Sequence, residues 1–397
     1  MTSKPMLVLG LMSGTSADGI DVALARISGA PPSLKVRLLG HASMGFPTDI
    51  RSEILHIAEQ RPITAGRLSQ LHFDLGAIYA NAALRACKQF RVSPRKIDLI
   101  GSHGQTVFHQ SWSEGRASTL QIGDGAVIAA CSGITTVSDF RPADMALKGQ
   151  GAPLVPYADY LLYGHPRMGR ASLNLGGIAN ITVLPAAARA TQILGFDTGP
   201  ANILIDGLVR RFTRGRTQMD RDARLALRGQ TIRPLLQKLM QDPYLRLAPP
   251  KSTGREYYGE SYLRRIILLG RRYHAKPNDL IRTATLFTAL SVVDAINRIV
   301  LPRTKIQQLI VSGGGAHNPL ILTQIAALLP EIEVVPSSVL GIPEDAKEAL
   351  AFAMFAYETI HQRPSNLPSA TGARGRAILG KISYAPPRYK RGFASSH

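Results

Sequence analysis

Cysteine is nearly absent: Cys87 and Cys131 are the only two, far apart in the chain. Neither a disulfide framework nor a cysteine-rich metal site can be built from them. Acidic residues are scarce as well, with 27 Asp and Glu against 47 Lys and Arg, for a net charge of +20. Aromatic residues make up 6% and tryptophan occurs once. No apolar run is read as long enough to cross a bilayer, and "MTSKPMLVLG" lacks the charged-then-apolar pattern of a signal peptide. The expectation is a cytoplasmic protein with no membrane partner. The basic charge would also suit a nucleic-acid binder. However, no helix-turn-helix, zinc-finger or aromatic RNA-binding signature accompanies it. Arg210, Arg211, Arg214 and Arg216, then Arg264, Arg265, Arg271 and Arg272, therefore read as solvated helix faces, with no nucleic-acid partner. Nucleotide motifs are missing too. There is no P-loop and no protein-kinase set, and "GGGAHN" carries Asn318 where a dinucleotide fingerprint needs its third glycine. His103 and His109 lack the helical spacing of zinc ligands.

What is present is glycine, 36 residues of it, with 26 prolines in 397 residues. That length is too great for one ordinary core, so two domains are expected. "VLGLMSGTSADGIDVALARI" reads as two apolar strands closing on a loop of small and hydroxylated residues. Ile20, Val22 and Leu24 alternate with Asp21, Ala23 and Ala25, the period of a half-buried strand. A plain hairpin with Asp18–Gly19 near its turn explains the pattern equally well. "ASLNLGGIANITVL" repeats the design with Gly176 and Gly177 a domain's length later. Between the two, a strand at residues 97–100 runs into His103 and Gln105, and a strand ending at Asp139 is followed by Arg141, polar groups where open α/β sheets bind ligands. His103 reads either as a satisfied core histidine or as a substrate contact.

In "QILGFDTGPANILIDGLVRRF" a strand at 193–196 carries Asp197 to its end, and Gly199–Pro200 is expected to start a helix. Asp197 is then either a carboxylate working beside an anion at the helix N-terminus or simply the helix cap. "LIVSGGGAHNPLI" is a strand, three glycines and Asn318–Pro319 as cap and first turn of a helix. Glu348 lies in "DAKEALAFAMFAYE", read as an amphipathic helix, where solvation is the plain expectation.

These pieces resemble the actin, heat-shock ATPase and sugar-kinase superfamily. Within it, "GLMSGTSADGID", "GSHGQT", "DFRPAD", "GQGAPLVP", "NLGGIANIT", "GFDTGPAN", "PPKSTGRE", "SGGGAHN" and "GIPEDAKEALAFA" are similar to the anhydro-N-acetylmuramic acid kinase family over nearly the whole chain. The resemblance implies two related actin-like (ribonuclease H-like) α/β domains with mixed sheets flanked by helices and an active-site cleft between them. The expected layout is a first domain over 1–145, a second over 146–362, a segment 363–382 returning to the first, and a loose basic tail over 383–397.

The implied reaction uses ATP and Mg²⁺ to phosphorylate O6 of 1,6-anhydro-N-acetylmuramic acid while water opens the anhydro ring, in peptidoglycan recycling. By resemblance, Gly14, Thr15, Ser16, Ala17, Asp18, Gly19, Ile20 and Asp21 form the first phosphate hairpin, and Gly176, Gly177 and Asn180 the second. Gly313, Gly314 and Gly315 form the adenosine turn, Asp197 is the catalytic base, and Glu348, Arg141 and His103 hold the sugar. The metal ligands are unassigned, and a homodimer is left open. Lys148 and Ala201 replace glycines usual in the family, and "QMDRDARLALRG" lacks another. The alternatives are a different amino-sugar kinase of the same fold, or a non-catalytic sugar sensor.

Overall fold

The computed structural model describes residues 4–14, 17–110, 112 and 115–387. The chain divides into two units: residues up to 146 together with 348–365 and those from 377 onward, and residues 147–347 together with 366–376.

In the first unit, β1 (Met6–Met12), β2 (Gly19–Ser28) and β3 (Lys35–Gly45) form an antiparallel run, and β4 (Leu99–Ser102) joins β1 in parallel. A separate hairpin follows, β5 (Gln105–Gln110) against β6 (Ser118–Ile122). Then β7 (Thr136–Ser138) adds parallel to β4, and the strand Lys381–Ser383 closes that edge. The order across the sheet, starting from the β3 edge, is β3-β2-β1-β4-β7, with Lys381–Ser383 beyond β7. β2 is more deeply buried than its alternating pattern predicts, because Ala23 and Ala25 are as buried as Val22 and Leu24. Both faces of the strand are covered.

The second unit repeats the plan. β8 (Arg170–Leu175), β9 (Ile178–Leu184) and β10 (Leu194–Pro200) run antiparallel, and β11 (Gln308–Ser312) and β12 (Glu333–Pro336) add in parallel beyond β8. The order β10-β9-β8-β11-β12 is the first unit's order over again. A duplicated layout thus exists at the level of topology, where no residue-level repeat is visible.

Several expectations change. The helix Lys347–Ile360 is not amphipathic: from Ala349 to Tyr357 every side chain is buried, as in a helix apolar all round. It also falls, from Glu348 onward, in the first unit, although the sequence boundary assigned it to the second. The cause is two glycines. A Cβ on Gly10 of β1 would lie 1.8 Å from the Ala349 carbonyl oxygen, and one on Gly101 of β4 would lie 2.1 Å from that of Phe352. Only glycine lets the helix backbone rest on these strands. The expected absence of a long apolar run also has an exception. The helical stretch Pro277–Val300 meets membrane-spanning length and composition, with 78% of that window buried. It contributes Phe287, Val292 and Ile296 to the second unit's core. The eight arginines singled out above are exposed, most on helices, with Arg214 and Arg216 in the turn after Asn202–Phe212. Residues 388–397 of the expected tail lie outside the described residues.

The seating of the helix is testable. Gly10→Ala should destabilise the protein by about 1–3 kcal/mol or more through overpacking, read as a lower urea midpoint. An unchanged midpoint would mean that the helix does not rest on β1.

Candidate active site

In the first unit, the described residues 13, 14, 17 and 18 lie in the connection between β1 and β2. Gln105 at the start of β5 pins it: the Ser13 hydroxyl donates to Gln105 Oε1 at 2.6 Å, and Gln105 Nε2 donates to the Gly14 carbonyl at 3.2 Å. Arg51 holds the other end through the Ala17 carbonyl (3.1 Å) and the Asp18 carboxylate (2.8 Å). Ala17, at φ 52°, and Ile20 are fully buried, so they offer a ligand only their main chain. Gly19 is small for the sake of β3, since a Cβ there would meet the Met44 carbonyl oxygen at 2.4 Å. The Asp21 carboxylate accepts from the Ser43 hydroxyl and lies 3.7 Å from His41 Nε2. Thr15 and Ser16 lie outside the described residues.

His103, Arg141 and Glu348 come together in the same unit. The His103 ring stacks on Phe352 with centroids 4.7 Å apart. Its Nδ1 lies 2.9 Å from the Gly104 carbonyl oxygen, which assigns the proton to Nδ1. Nε2 is then free to accept from Arg141 Nε (3.2 Å) and Nη2 (3.0 Å). Burial, reinforced by the Arg141 charge, lowers the His103 pKa to about 3, so the ring is neutral and acts as an acceptor that aims the guanidinium. Burial lowers Arg141 to about 10, and the opposing influence is the charge of Glu348. Glu348 is half-buried rather than solvated. His103 is a satisfied core histidine, as its plain reading has it, with both ring nitrogens hydrogen-bonded, while the solvated reading of Glu348 gives way to a half-buried position whose charge acts on Arg141.

In the second unit, strand register lines up Ser312, Asn174, Asn180 and Asp197 across β11, β8, β9 and β10. Asp197 lies within β10, at a bulge between Asp197 and Gly199, and not at the strand's end as expected. The following helix, Asn202–Phe212, starts after Pro200 and has no side-chain cap. Its first N–H groups are taken by the hairpin: Ala201 and Ile203 donate to the Gly177 carbonyl (2.9 and 3.1 Å), and Asn202 to that of Gly176 (3.0 Å). Two expectations are overturned by this. Asp197 is not the helix cap, and the helix end is not an open anion site, because main-chain carbonyls already satisfy it.

Asp197 is held from three sides. Its N–H donates to the Lys251 carbonyl (3.1 Å), its carbonyl accepts from the Tyr244 hydroxyl (3.0 Å), and Oδ2 accepts the Thr253 N–H (2.9 Å). Burial pushes its pKa up to about 7, with Glu256 adding to the rise, while the Thr253 N–H and the Lys251 charge oppose it. A carboxylate poised there suits a general base at neutral pH. Lys251, Thr253 and Tyr244 were not singled out from sequence; "PPKSTGRE" shows no periodicity that would mark them.

The turn of Gly313, Gly314 and Gly315 follows β11. Gly313 has φ 81° and, like Gly315, abuts β8: a Cβ on either would lie 2.6 Å from Asn174 or Leu175. Gly314 and Gly176 are open, with nothing nearer than 3.7 Å to such an atom. Asn318 caps Pro319–Leu328 as expected, accepting from Leu320 and Ile321. Lys148 adopts φ 67°, and Asp222 and Ala223 φ 55° and 56°. The backbone thus enters the left-handed region at Lys148 and beside the aspartates without the glycines usual there.

The family model for anhydro-N-acetylmuramic acid kinase matches residues 6–385. A protein of that name from Caldanaerobacter subterraneus is 41% identical over 382 residues, 95% of this chain and 96% of its own. Another from Bacillus cereus is 41% identical over 383 residues, 96% of this chain and 99% of its own. Among solved structures, an activator of 2-hydroxyisocaproyl-CoA dehydratase from Clostridium difficile aligns over 90% of the chain at 12% identity, with a TM-score of 0.44.

The Asp197 environment makes a stability prediction. A folded-state pKa near 7, above the ordinary 3.8, means that ionising Asp197 costs stability. The cost is absent below about pH 4 and complete above about pH 7. Asp197→Asn should therefore melt higher than the parent near pH 8 and lose that advantage near pH 4. A variant no more stable at pH 8 would mean the ionised carboxylate is well solvated.

Proposed function

We propose that this chain, which belongs to the anhydro-N-acetylmuramic acid kinase family, transfers the γ-phosphoryl group of ATP to O6 of 1,6-anhydro-N-acetylmuramic acid as water opens the anhydro ring. The products are N-acetylmuramic acid 6-phosphate and ADP, in recycling of cell-wall peptidoglycan in the cytoplasm. The observation that carries this reading is Asp197, a half-buried carboxylate with a pKa near 7 whose main chain and one oxygen are both tethered.

In the proposed step, Asp197 takes a proton from water as the water oxygen bonds to the anomeric carbon. The bond from that carbon to O6 breaks, and O6 forms its bond to the γ-phosphorus while ADP leaves. Phosphoryl transfer asks little covalent chemistry of the protein, so the remaining work is positioning. Glu348 accepts a sugar hydroxyl, and Arg141, aimed by neutral His103, donates to a sugar oxygen. Main-chain N–H groups of the two hairpins face phosphate, and the Gly313, Gly314 and Gly315 turn carries the adenosine. The open faces of Gly176 and Gly314 fit a ligand approaching the backbone. Mg²⁺ would supply charge neutralisation on the phosphates. Among the described residues no cluster of three His, Cys, Asp or Glu side chains could hold it, and Asp18 and Asp21 already have protein partners. The ion would thus be held mainly by phosphate oxygens and water, as Mg²⁺ commonly is.

In ¹⁸O-labelled water, the sugar product should carry label on its anomeric carbon and none in its phosphate. Asp197→Asn should lower kcat by about 10²–10⁴-fold. Label in the phosphate would mean that water attacks phosphorus, which would refute the mechanism. Glu348→Gln should raise the sugar KM by about tenfold or more, the loss of a charge-assisted hydrogen bond, and leave the KM for ATP unchanged. Unaltered sugar kinetics would remove Glu348 from the site.

A further inference from the structure

Lys251 is buried, 8% exposed, yet its ammonium hydrogen-bonds to carbonyls and not to a carboxylate. It reaches those of Tyr244 (3.4 Å) and Leu245 (3.3 Å) and lies 4.8 Å from the centre of the Tyr244 ring. A buried charge without a close counter-ion is costly, and an apolar side chain of similar length would fill the space more cheaply. The segment Lys251 belongs to gives Asp197 two of its three tethers, the Lys251 carbonyl and the Thr253 N–H, and Tyr244 gives the third.

We propose that Lys251 is a positioning residue for Asp197: its ammonium, anchored on the Tyr244 and Leu245 carbonyls, fastens residues 251–253 beside the carboxylate, and its positive charge favours the ionised form. This rests on the reading of Asp197 as the base. The other charged groups around the pair are Glu256, which disfavours ionised Asp197, and Asp294 and Arg298 on the helical stretch Pro277–Val300, which act on Lys251 with opposite signs. Burial lowers the Lys251 pKa to about 8, so at neutral pH the cation is present. Removing it takes away one of the two influences that hold the Asp197 pKa down.

The test is the pH dependence of kcat/KM for the anhydro sugar in the parent, Lys251→Met, Lys251→Arg and Asp197→Asn enzymes. Methionine keeps the apolar stem without the charge, so Lys251→Met should move the acid limb to higher pH. Below the limb the variant should be slower than the parent, and the two rates should converge at high pH. Lys251→Arg should keep the parental limb. A rate that falls equally at every pH, with the limb unmoved, would make Lys251 merely structural and overturn the inference while leaving Asp197 as base. An Asp197→Asn enzyme with parental rate and profile would instead overturn the base reading, and this inference with it. If Lys251→Met does not fold, Lys251→Gln takes its place. The Asp197 carboxylate is then titrated directly by infrared difference spectroscopy of ¹³C-aspartate protein against Asp197→Asn, a readout that needs no turnover. An unmoved titration there also overturns the inference.

Discussion

The backbone of the helix Lys347–Ile360 rests on β1 and β4 at Gly10 and Gly101, where there is no room for a side chain. Everything in that half of the site depends on it. The contact places Phe352 under the His103 ring and starts the helix where the Glu348 charge is felt by Arg141. Side chains more than 200 positions apart in sequence thereby join one cluster. The close approach also explains a small residue in the segment: the Ala356 Cβ would lie 2.8 Å from a Cβ on Gly101, while the other atoms met are main-chain atoms of Ala349, Phe352 and Ala353. Larger groups there would lift the helix and separate Glu348 from its partner.

The second unit solves a related problem with main-chain groups. Its glycine hairpin turns its carbonyls inward onto the start of the helix Asn202–Phe212. This satisfies orphan N–H donors that a helix N-terminus must otherwise give to a side chain, water or a ligand. The same contact fixes the chain just beyond Asp197, while the Tyr244 hydroxyl and residues 251–253 fix it from the other side. Asp197 therefore sits on an edge strand at a bulge, a position that ordinarily frays, with nearly every neighbouring backbone group committed. Bulges re-aim side chains at such sites, and here the register row of Asn174, Asn180 and Asp197 shows which side chain is aimed.

Local signals were readable from sequence. Both hairpins, the polar strand ends and the Asn318 cap follow from alternation and from turn and cap chemistry acting over a few residues. What escaped was set by distant contacts. Glu348 looks like any solvated helical glutamate until the helix is seen seated on the sheet, and the same seating moves the unit boundary. Pro200 looked like a helix first turn, but β10 extends through it, because the helix donors that follow are claimed by the hairpin carbonyls. Lys251, Thr253 and Tyr244 have no period or spacing that points to Asp197; their relation exists only once the segment folds back. Family resemblance singled out Asp197 and Glu348, and the fold places Asp197 at a tethered bulge and Glu348 where its charge acts on Arg141.

The charge states of these groups narrow what pH can do. His103 stays neutral because burial and Arg141 both oppose its protonation, and Arg141 remains charged well above neutrality. Neither changes state between about pH 5 and pH 9. Asp197 and Lys251 are the site groups with pKa values inside that window, near 7 and near 8. Burial is the largest cause of both shifts, and it acts in opposite directions on an acid and a base. The His103–Arg141 pair in the first unit therefore keeps constant charge and hydrogen-bonding polarity over a range in which Asp197 and Lys251 in the second unit titrate. A histidine held neutral presents only its acceptor nitrogen to Arg141, so that hydrogen bond keeps its direction as pH changes, whereas a carboxylate near its own pKa can take up or release a proton with little driving force.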